Sequence, residues 1–436
     1  MSNLASFTKN FLFSYTNQIF LLLNGLLYTY IIANYLGPDN YGVFIYLFAF
    51  VTNTAYIFGL ESIIETLNVF IAKFRSEILF SKTRKITLVV SITICLGLLL
   101  VGQYFVENID APAISVLRYI SITVIMFPLS LVYNSLFRGF KMFGKVLKIA
   151  VLENMANLIL AFAFVILFDF GIMGAVYAKL MSLALALIAS HLFSLSIKYE
   201  NKSFEKKEVI KYAKISFFTN FVKRATAIIK LFFIGLFINP VMMGFYYLLE
   251  KISAYAINIP SASINEVFIP YLGEKADDMA VLSSYASLNF KAVALLASGI
   301  GVAIFFLAPI ILPIIFPAYS DAVSLVPYFT ITIILSSFTG FGNLYRIMNR
   351  NDFLLTLSFI SLINTVIIGY FLISYFGVIG LILIEAVRQI VSFPFHYLFL
   401  KKLGVKIDIF PTRSDYIIIK RLISPVFGFR KNKGAG

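Results

Sequence analysis

The sequence predicts an all-α integral membrane protein, with twelve transmembrane helices in two pseudo-symmetric six-helix bundles around a central cavity. Three observations predict this fold: the composition, the spacing of the apolar runs and the distribution of positive charge. Of the 436 residues, 60% are hydrophobic and 13% are charged, whereas soluble domains are close to half apolar and about a quarter charged. In water such a chain would expose a large apolar surface, so we expect its solvent to be lipid.

The composition also excludes several kinds of site. Cys95 is the single cysteine, so the chain can form neither an internal disulfide nor a cysteine metal cluster. His191 and His396 are the only histidines, and we expect no metal site and no cofactor. The formal charge of +15 could indicate nucleic acid. The positive residues lie between apolar runs, however, so they are interpreted as topology signals and no nucleic acid partner is expected.

The apolar runs have the length of bilayer crossings. A helix needs about 20 apolar residues to cross roughly 30 Å of hydrocarbon. No secretory signal with a cleavage site precedes the first run, which is therefore expected to be the membrane signal itself. Twelve runs, called spans 1 to 12, reach the required length: 11–35, 43–70, 86–106, 114–137, 147–168, 172–196, 215–238, 245–268, 283–308, 322–341, 353–375 and 378–400.

Positive charge alternates from loop to loop. Of the 36 Lys and Arg residues, 28 are assigned to the N-terminus, the even-numbered loops and the C-terminal tail. The odd-numbered loops contain no Lys or Arg and carry these acids: Asp39, Glu107, Asp110, Asp169 and Asp321. Because cytoplasmic loops collect positive residues, both termini are predicted to be cytoplasmic.

The other eight positive residues fall inside spans. A charge near the bilayer centre costs at least about 2.5 to 3.5 kcal/mol, so it normally faces a cavity or a partner. Two of the eight, Arg118 and Lys291, are close enough to an interface to extend their charge to it instead. The remaining six are Lys179, Lys223, Arg224, Lys230, Lys251 and Arg388.

Corner motifs repeat at a nearly constant offset. Pro38 and Gly42 recur 202 residues later as Pro240 and Gly244. The motif at 112–115 recurs 205 residues later at 317–320, and the motif at 170–174 recurs 206 residues later at 376–380. Two halves of parallel topology are therefore predicted, related by an axis along the membrane normal. Four regions are expected: the bundle 1–197, a linker with an interfacial helix at 198–214, the bundle 215–400 and a basic cytoplasmic tail at 401–436.

The repeat relates two polar stripes. Asn17, Leu21, Asn24 and Tyr28 share one face of span 1, and at offset 202 they correspond to Thr219, Lys223, Thr226 and Lys230 of span 7. Such stripes either line a watery cavity or bond neighbouring helices. Span 7 favours the cavity, because its own sequence offers no acid to its cations. The candidate substrate-binding residues are Lys223, Lys230, Arg224, Asn17, Asn24, Lys179, Arg388 and Lys251.

Several acids at membrane depth are candidates for ion coupling or gating. Protons or sodium could bind them, but each could equally neutralise a lysine of another helix. Lys179 corresponds to Glu385 in the repeat, and the two could pair across the halves; the alternative is a local pair of Glu385 with Arg388. Hydrogen-bonded structural roles are favoured for both histidines. The candidate acids are Glu153, Glu385, Glu61 and Glu266.

Catalytic function is not expected. The segment from Gly139 to Lys145 resembles a phosphate-binding loop, but Val146 stands where the Ser or Thr for magnesium belongs, and no strand precedes it. The odd-numbered loops are short and leave no room for an acceptor domain. We therefore predict no catalytic residues and no enzyme activity.

The chain resembles the Wzx-type polysaccharide and O-antigen flippases of the multidrug/oligosaccharidyl-lipid/polysaccharide exporter superfamily. The resemblance covers nearly the whole chain and rests on four motifs: Tyr35 to Gly42, Leu136 to Gly139, Phe170-Gly171 with Gly174, and Gly244-Phe245-Tyr246. One departure concerns span 7, where many relatives carry an acid in a stretch similar to that of Lys230. Any ion site borrowed from those relatives is therefore in doubt here.

The resemblance implies a multi-pass plasma membrane flippase. It would move an undecaprenyl-pyrophosphate-linked oligosaccharide to the outer leaflet by alternating access, with membrane lipids, glycosyltransferases and a polymerase as partners. A cavity of net positive charge suits a pyrophosphate. Three alternatives stay open: a related ion-coupled exporter of small molecules, a lipid II flippase, whose relatives look like fourteen-span chains, and a membrane-embedded enzyme of glycan assembly.

Overall fold

A computed structural model describes residues 2–102, 104, 111–200, 206–255, 278–339, 341, 344–345, 348 and 350–408, without the side chains of 2–19, 111, 112, 285 and 351. Within these ranges the chain is helical, and no strand occurs among them. The predicted all-α class is confirmed.

The helices follow one another through short connections. The first half contains α1 (Ser2–Ile57), α2 (Leu60–Phe74), α3 (Glu77–Val101), α4 (Ala111–Ser121), α5 (Thr123–Gly139), α6 (Phe143–Ala161) and α7 (Gly171–Ser194). The second half contains α8 (Lys206–Phe237), α9 (240–255), α10 (Met279–Ile315), α11 (Val326–Leu335), α12 (Asn351–Asn364) and α13 (Tyr370–Lys402). Shorter π and 3₁₀ turns lie at Phe162–Leu167, Pro317–Leu325, Ser336–Thr339 and Thr365–Gly369.

Within the residues that the structure describes, eight segments are long and apolar enough to cross a membrane, and the protein is therefore a multi-pass membrane protein. The segments are Phe20–Ile57, Glu77–Val101, Ala113–Gly139, Phe143–Leu167, Gly171–Ser194, Met279–Ile315, Pro317–Phe338 and Asp352–Lys402. The number of twelve spans, the central cavity between two bundles and the cytoplasmic termini stay predictions.

Two of these segments contain a sharp bend at a predicted corner glycine. Gly37 has φ 72° inside α1, and Gly377 has φ 55° inside α13. L-residues with a side chain rarely adopt a positive φ, whereas glycine does so at little cost. Each of these two segments therefore consists of two differently directed arms rather than one straight crossing. The segments are Phe20–Ile57, with 38 residues, and Asp352–Lys402, with 51 residues.

Several details recur in both halves. The π turns Phe162–Leu167 and Thr365–Gly369 precede the last helix of each half, α7 and α13. Tyr133 hydrogen-bonds Nδ1 of His191, and Tyr345 hydrogen-bonds Nδ1 of His396, both at 3.1 Å. These pairs give the histidines structural partners, and the recurrence supports the predicted repeat. The region boundaries themselves stay predictions.

Part of the predicted linker belongs to a long helix in the structure. An interfacial helix was expected within 198–214, but residues 206–214 form the first turns of α8, which runs unbroken to Phe237. Tyr199 packs against Phe80 and Phe140, with ring centroids 6.4 and 5.7 Å apart. The start of the linker is thereby attached to the first half.

The largest buried apolar cluster is shared by the two halves. It contains Leu47 and Val116 from the first half together with Ile234, Leu248 and Leu381 from the second. Two smaller clusters each belong to one half, the first around Ile71 and Phe137 and the second around Phe290 and Tyr345. The halves are therefore joined through one common core.

Candidate functional site: two polar cavities

One end of the bundle is sealed by reciprocal glycine contacts. A Cβ on Gly42 would overlap the carbonyl oxygen of Pro240, and a Cβ on Gly244 would overlap that of Pro38. The two corners therefore meet backbone to backbone, which only glycine allows. The charge distribution predicts that this end faces away from the cytoplasm.

Aromatic rings fill the space behind the glycine contacts. The Tyr319 ring lies edge-on to Tyr41 at 6.2 Å and tilted against Phe245 at 5.8 Å. The Tyr319 hydroxyl donates to the carbonyl of Ala33 at 3.2 Å. Buried aromatic pairs add specific stabilisation to their apolar burial. Together with the glycine contacts they close this end of the bundle.

The first cavity, of about 520 Å³, lies among α1, α6, α7 and α9. Its wall includes Asn24, Asn154, Asn157, Lys179 and Lys251. The Asn24 amide donates to the carbonyl of Asn154 at 3.2 Å. A side chain at Gly25 would overlap the Tyr255 ring, so α1 and α9 touch beside the cavity. The cavity thus lies where an α1 stripe from the first half meets a helix of the second.

The two lysines of the first cavity differ in their partners. Lys179 pairs with Glu153 at 3.0 Å, and both side chains are largely buried. Lys251 has no carboxylate partner among the described residues, and its ammonium lies 5.4 Å from the centre of the Tyr255 ring. A cation–π contact neutralises no charge. Lys251 is therefore available to a ligand anion.

The second cavity, of about 470 Å³, lies among α8, α12 and α13. All four residues of the predicted span 7 stripe line it, namely Thr219, Lys223, Thr226 and Lys230. Glu385 and Arg388 of α13 line it too. Each polar stripe thus faces a cavity, but in the described part of the chain the stripes face two separate cavities.

The α8 cations find acids on other helices. Arg224 donates to both carboxylate oxygens of Glu61, at 2.6 and 2.8 Å, and to the side-chain oxygen of Asn53 at 2.9 Å. Lys223 lies 3.6 Å from the same carboxylate, with 58% of its side chain exposed. Glu61 and Arg224 belong to different halves, so this pair bridges them.

Lys230 and Arg388 share one carboxylate. Lys230 lies 3.2 Å from Glu385, and Arg388 binds Glu385 at 2.6 and 2.9 Å. The structure thus contains the local pair of Glu385 with Arg388, whereas Lys179, the other suggested partner, pairs with Glu153. The cations of predicted span 7, which has no acid of its own, are thus paired with acids of other helices.

Some contacts were not foreseen from the sequence. Glu65 accepts hydrogen bonds from Ser216 at 2.5 Å and Asn220 at 2.8 Å, again across the halves. Tyr246 donates to Glu250 at 2.8 Å. The i, i+4 spacing of Tyr246 and Glu250 was the one available signal. Of the predicted site residues, Glu266 and the side chain of Asn17 lie outside the described part of the structure.

Comparison with known proteins decides the family. Residues 31–324 match the family described as polysaccharide biosynthesis protein. The chain belongs to this family. No curated protein matches the sequence. The family assignment agrees with the resemblance inferred from the corner motifs.

Several solved structures share the fold of this chain. The lipid II flippase MurJ, in an inward closed conformation, matches with a TM-score of 0.73 and 14% identity, over 97% of this chain and 94% of that one. An inward-facing multidrug resistance MATE transporter of the MOP superfamily matches with a TM-score of 0.70 and 15% identity, over 89% of this chain and 99% of that one. An outward-facing MATE transporter matches with a TM-score of 0.55 and 15% identity, over 89% of this chain and 96% of that one. These identities show a common fold.

Proposed function

We propose that this protein is a flippase for a lipid-linked oligosaccharide, and that the pyrophosphate of this substrate enters the first cavity. The observation that carries the proposal is Lys251, a cation in the wall of the first cavity without a carboxylate partner in the described part of the chain. Membership of the polysaccharide biosynthesis family and the fold of MOP superfamily transporters support it.

The wall of the first cavity suits such a headgroup. Lysine ammoniums form strong charge-assisted hydrogen bonds with phosphate oxygens. Lys179 and Lys251 place two ammonium groups in the cavity wall. Donors and acceptors for sugar hydroxyls come from the amides of Asn24, Asn154 and Asn157. The lipid chain would stay in the bilayer while the polar part crosses through the protein.

Rocking of the two halves would move the headgroup outward. The glycine contacts of Gly42 and Gly244 close the predicted outer end, and the higher TM-scores belong to the inward conformations. Opening that end would expose the cavity to the outer leaflet. An interior-negative potential assists, since expelling each negative charge gains about 2.3 kcal/mol per 100 mV.

The proposal extends to the lipid carrier and to the proteins that act before and after the flippase. We infer an undecaprenyl-pyrophosphate carrier, loaded by glycosyltransferases on the cytoplasmic face and consumed by a polymerase outside. Glu61, Glu153 and Glu385 are the described acids that could take up a coupling proton or sodium ion. Each already has a basic partner, so coupling would require that pair to open.

Reconstitution in liposomes tests the proposal. We expect purified protein to move a fluorescent polyprenyl-pyrophosphate oligosaccharide between leaflets without breaking or forming covalent bonds. Lys251→Ala should reduce the rate at least about tenfold. Lys148→Ala removes an exposed lysine at the start of α6 and should leave the rate unchanged.

Three results would overturn the proposal or its assignment to the first cavity. A new covalent glycan product would indicate a glycan-assembly enzyme instead. Transport of small cationic solutes with no movement of the labelled lipid would indicate an exporter. Equal rates for Lys251→Ala and Lys148→Ala, at equal protein levels, would remove the first cavity from the mechanism.

A further inference from the structure

The Lys230 ammonium of α8 lies among oxygens from two other helices, α9 and α13. Its Nζ donates to the Tyr246 hydroxyl at 2.8 Å and lies 3.2 Å from Glu385 Oε1 and 4.0 Å from Glu250 Oε1. Only 16% of the side chain is exposed. Two carboxylates and a phenol therefore converge on one buried positive charge.

The charges balance only while that ammonium is present. Arg388 binds the second carboxylate oxygen of Glu385, so Lys230 and Arg388 together offset Glu385 and Glu250. Without Lys230, two carboxylates would lie near one point with a single guanidinium beside them. Like charges in a poorly solvated site repel strongly. The emptied position would then attract a small cation.

The cavity holds further groups that could bind such a cation. The side chain of Asn364 is 5% exposed, and neither its oxygen nor its nitrogen has a hydrogen-bond partner within the described residues. Asn364 and its neighbour Thr365 line the second cavity together with Lys230 and Glu385. A buried amide without partners is uncommon and indicates a place for a water or an ion. Carboxylate, carbonyl and hydroxyl oxygens are the ligands that hard cations prefer.

We propose that Lys230 is a built-in cation occupying an oxygen-lined cation site in the second cavity, and that this site binds Na⁺ only when the lysine side chain is removed. The lysine side chain is covalently attached and cannot leave the site as a bound Na⁺ would. While Lys230 stays paired with Glu385, this cavity therefore releases no Na⁺. Taken with the proposed function, on which this consequence rests, outward movement of the anionic substrate draws on the membrane potential.

Thermal unfolding in detergent tests the site without any transport assay. The melting temperature is compared in NaCl and in choline chloride at equal ionic strength and at pH 8. Wild type should melt at the same temperature in both salts. Lys230→Ala should melt at a lower temperature in choline and rise by about 3 °C or more as Na⁺ saturates the site. Glutamine is closer to lysine in volume than alanine is, so Lys230→Gln is measured if the alanine variant does not fold.

Two controls assign any Na⁺ response to this site. Adding Glu385→Gln to Lys230→Ala should abolish the response, because one of the two acids is lost. Lys251→Ala, in the first cavity, should show none. The proposal is overturned if wild type itself shows a saturable Na⁺-specific rise, or if both folded Lys230 variants melt identically in the two salts. Neither result depends on whether the protein flips a lipid.

Discussion

At the scale of single residues, the two lysines of the first cavity differ in how their charge is neutralised. Lys251 carries an unpaired charge within the described part of the chain, whereas Lys179 is held by Glu153 at 3.0 Å. An anion entering the cavity meets Lys251 directly but must compete with a carboxylate for Lys179. Glu153 therefore sets how much positive charge the cavity offers.

Replacing Glu153 should strengthen anion binding. Glu153→Gln keeps the side-chain volume and removes the charge that competes for Lys179. We expect the Kd for a short-chain isoprenyl pyrophosphate to fall about tenfold, measured by calorimetry with purified protein. Glu208→Gln is the matched control, since Glu208 forms a pair of the same 3.0 Å length with Lys73 on the exposed surface. Unchanged binding in Glu153→Gln would show that Lys179 takes no part.

At the scale of helices, α2 and α8 form a polar seam between the halves. Arg224 and Glu61 make a two-pronged pair, and Glu65 binds Ser216 and Asn220 further along the same helices. The Glu61 and Arg224 side chains are 17% and 20% exposed. Breaking such a largely buried pair leaves an uncompensated charge and costs about 3 kcal/mol or more.

The seam should tolerate an exchange of charges better than their loss. Glu61→Gln and Arg224→Met are each expected to lower the melting temperature by several degrees, about 2 to 4 °C per kcal/mol. The exchanged variant, Glu61→Arg with Arg224→Glu, should recover part of that loss. Fluorescence-monitored unfolding of the purified variants checks this. If the exchange melts no higher than the worse single variant, the two residues do not interact as described.

Helix positions and corners could be predicted from the sequence, but ion pairs could not. Local rules predict a helix from the length of an apolar run and a corner from a glycine. The glycines at 37, 171 and 377 have positive φ, each at a bend or at the start of a helix. Arg224 and Glu61 are more than 160 positions apart. Their pairing depends on how the two halves meet, and no spacing within either helix reveals it.

The division of the polar space into two cavities was unpredictable for the same reason. In the part of the chain that the structure describes, the polar stripes predicted for spans 1 and 7 line two different cavities. Whether the stripes face each other depends on the crossing angle of α1 and α8, which sequence periodicity does not contain. The pairing of Lys230 with Glu385 likewise required the fold.

At the scale of the whole molecule, the two halves meet at a sealed end and along a charged seam. Gly42 and Gly244 allow backbone contact at the predicted outer end, and the α2–α8 seam joins the halves elsewhere. Alternating access needs one contact region to open while another forms. The sealed end is held by backbone and apolar contacts and lacks ion pairs among its described residues, so opening it breaks contacts of a different kind from those of the seam.

The most direct measurement is a structure of the protein with a bound polyprenyl-pyrophosphate oligosaccharide. The account predicts phosphate oxygens in the first cavity, within about 4 Å of the Lys251 ammonium, and the sugars among Asn24, Asn154 and Asn157. The Lys230 ammonium should still contact Glu385. A pyrophosphate bound in the second cavity, against Lys223 and Lys230, would contradict it.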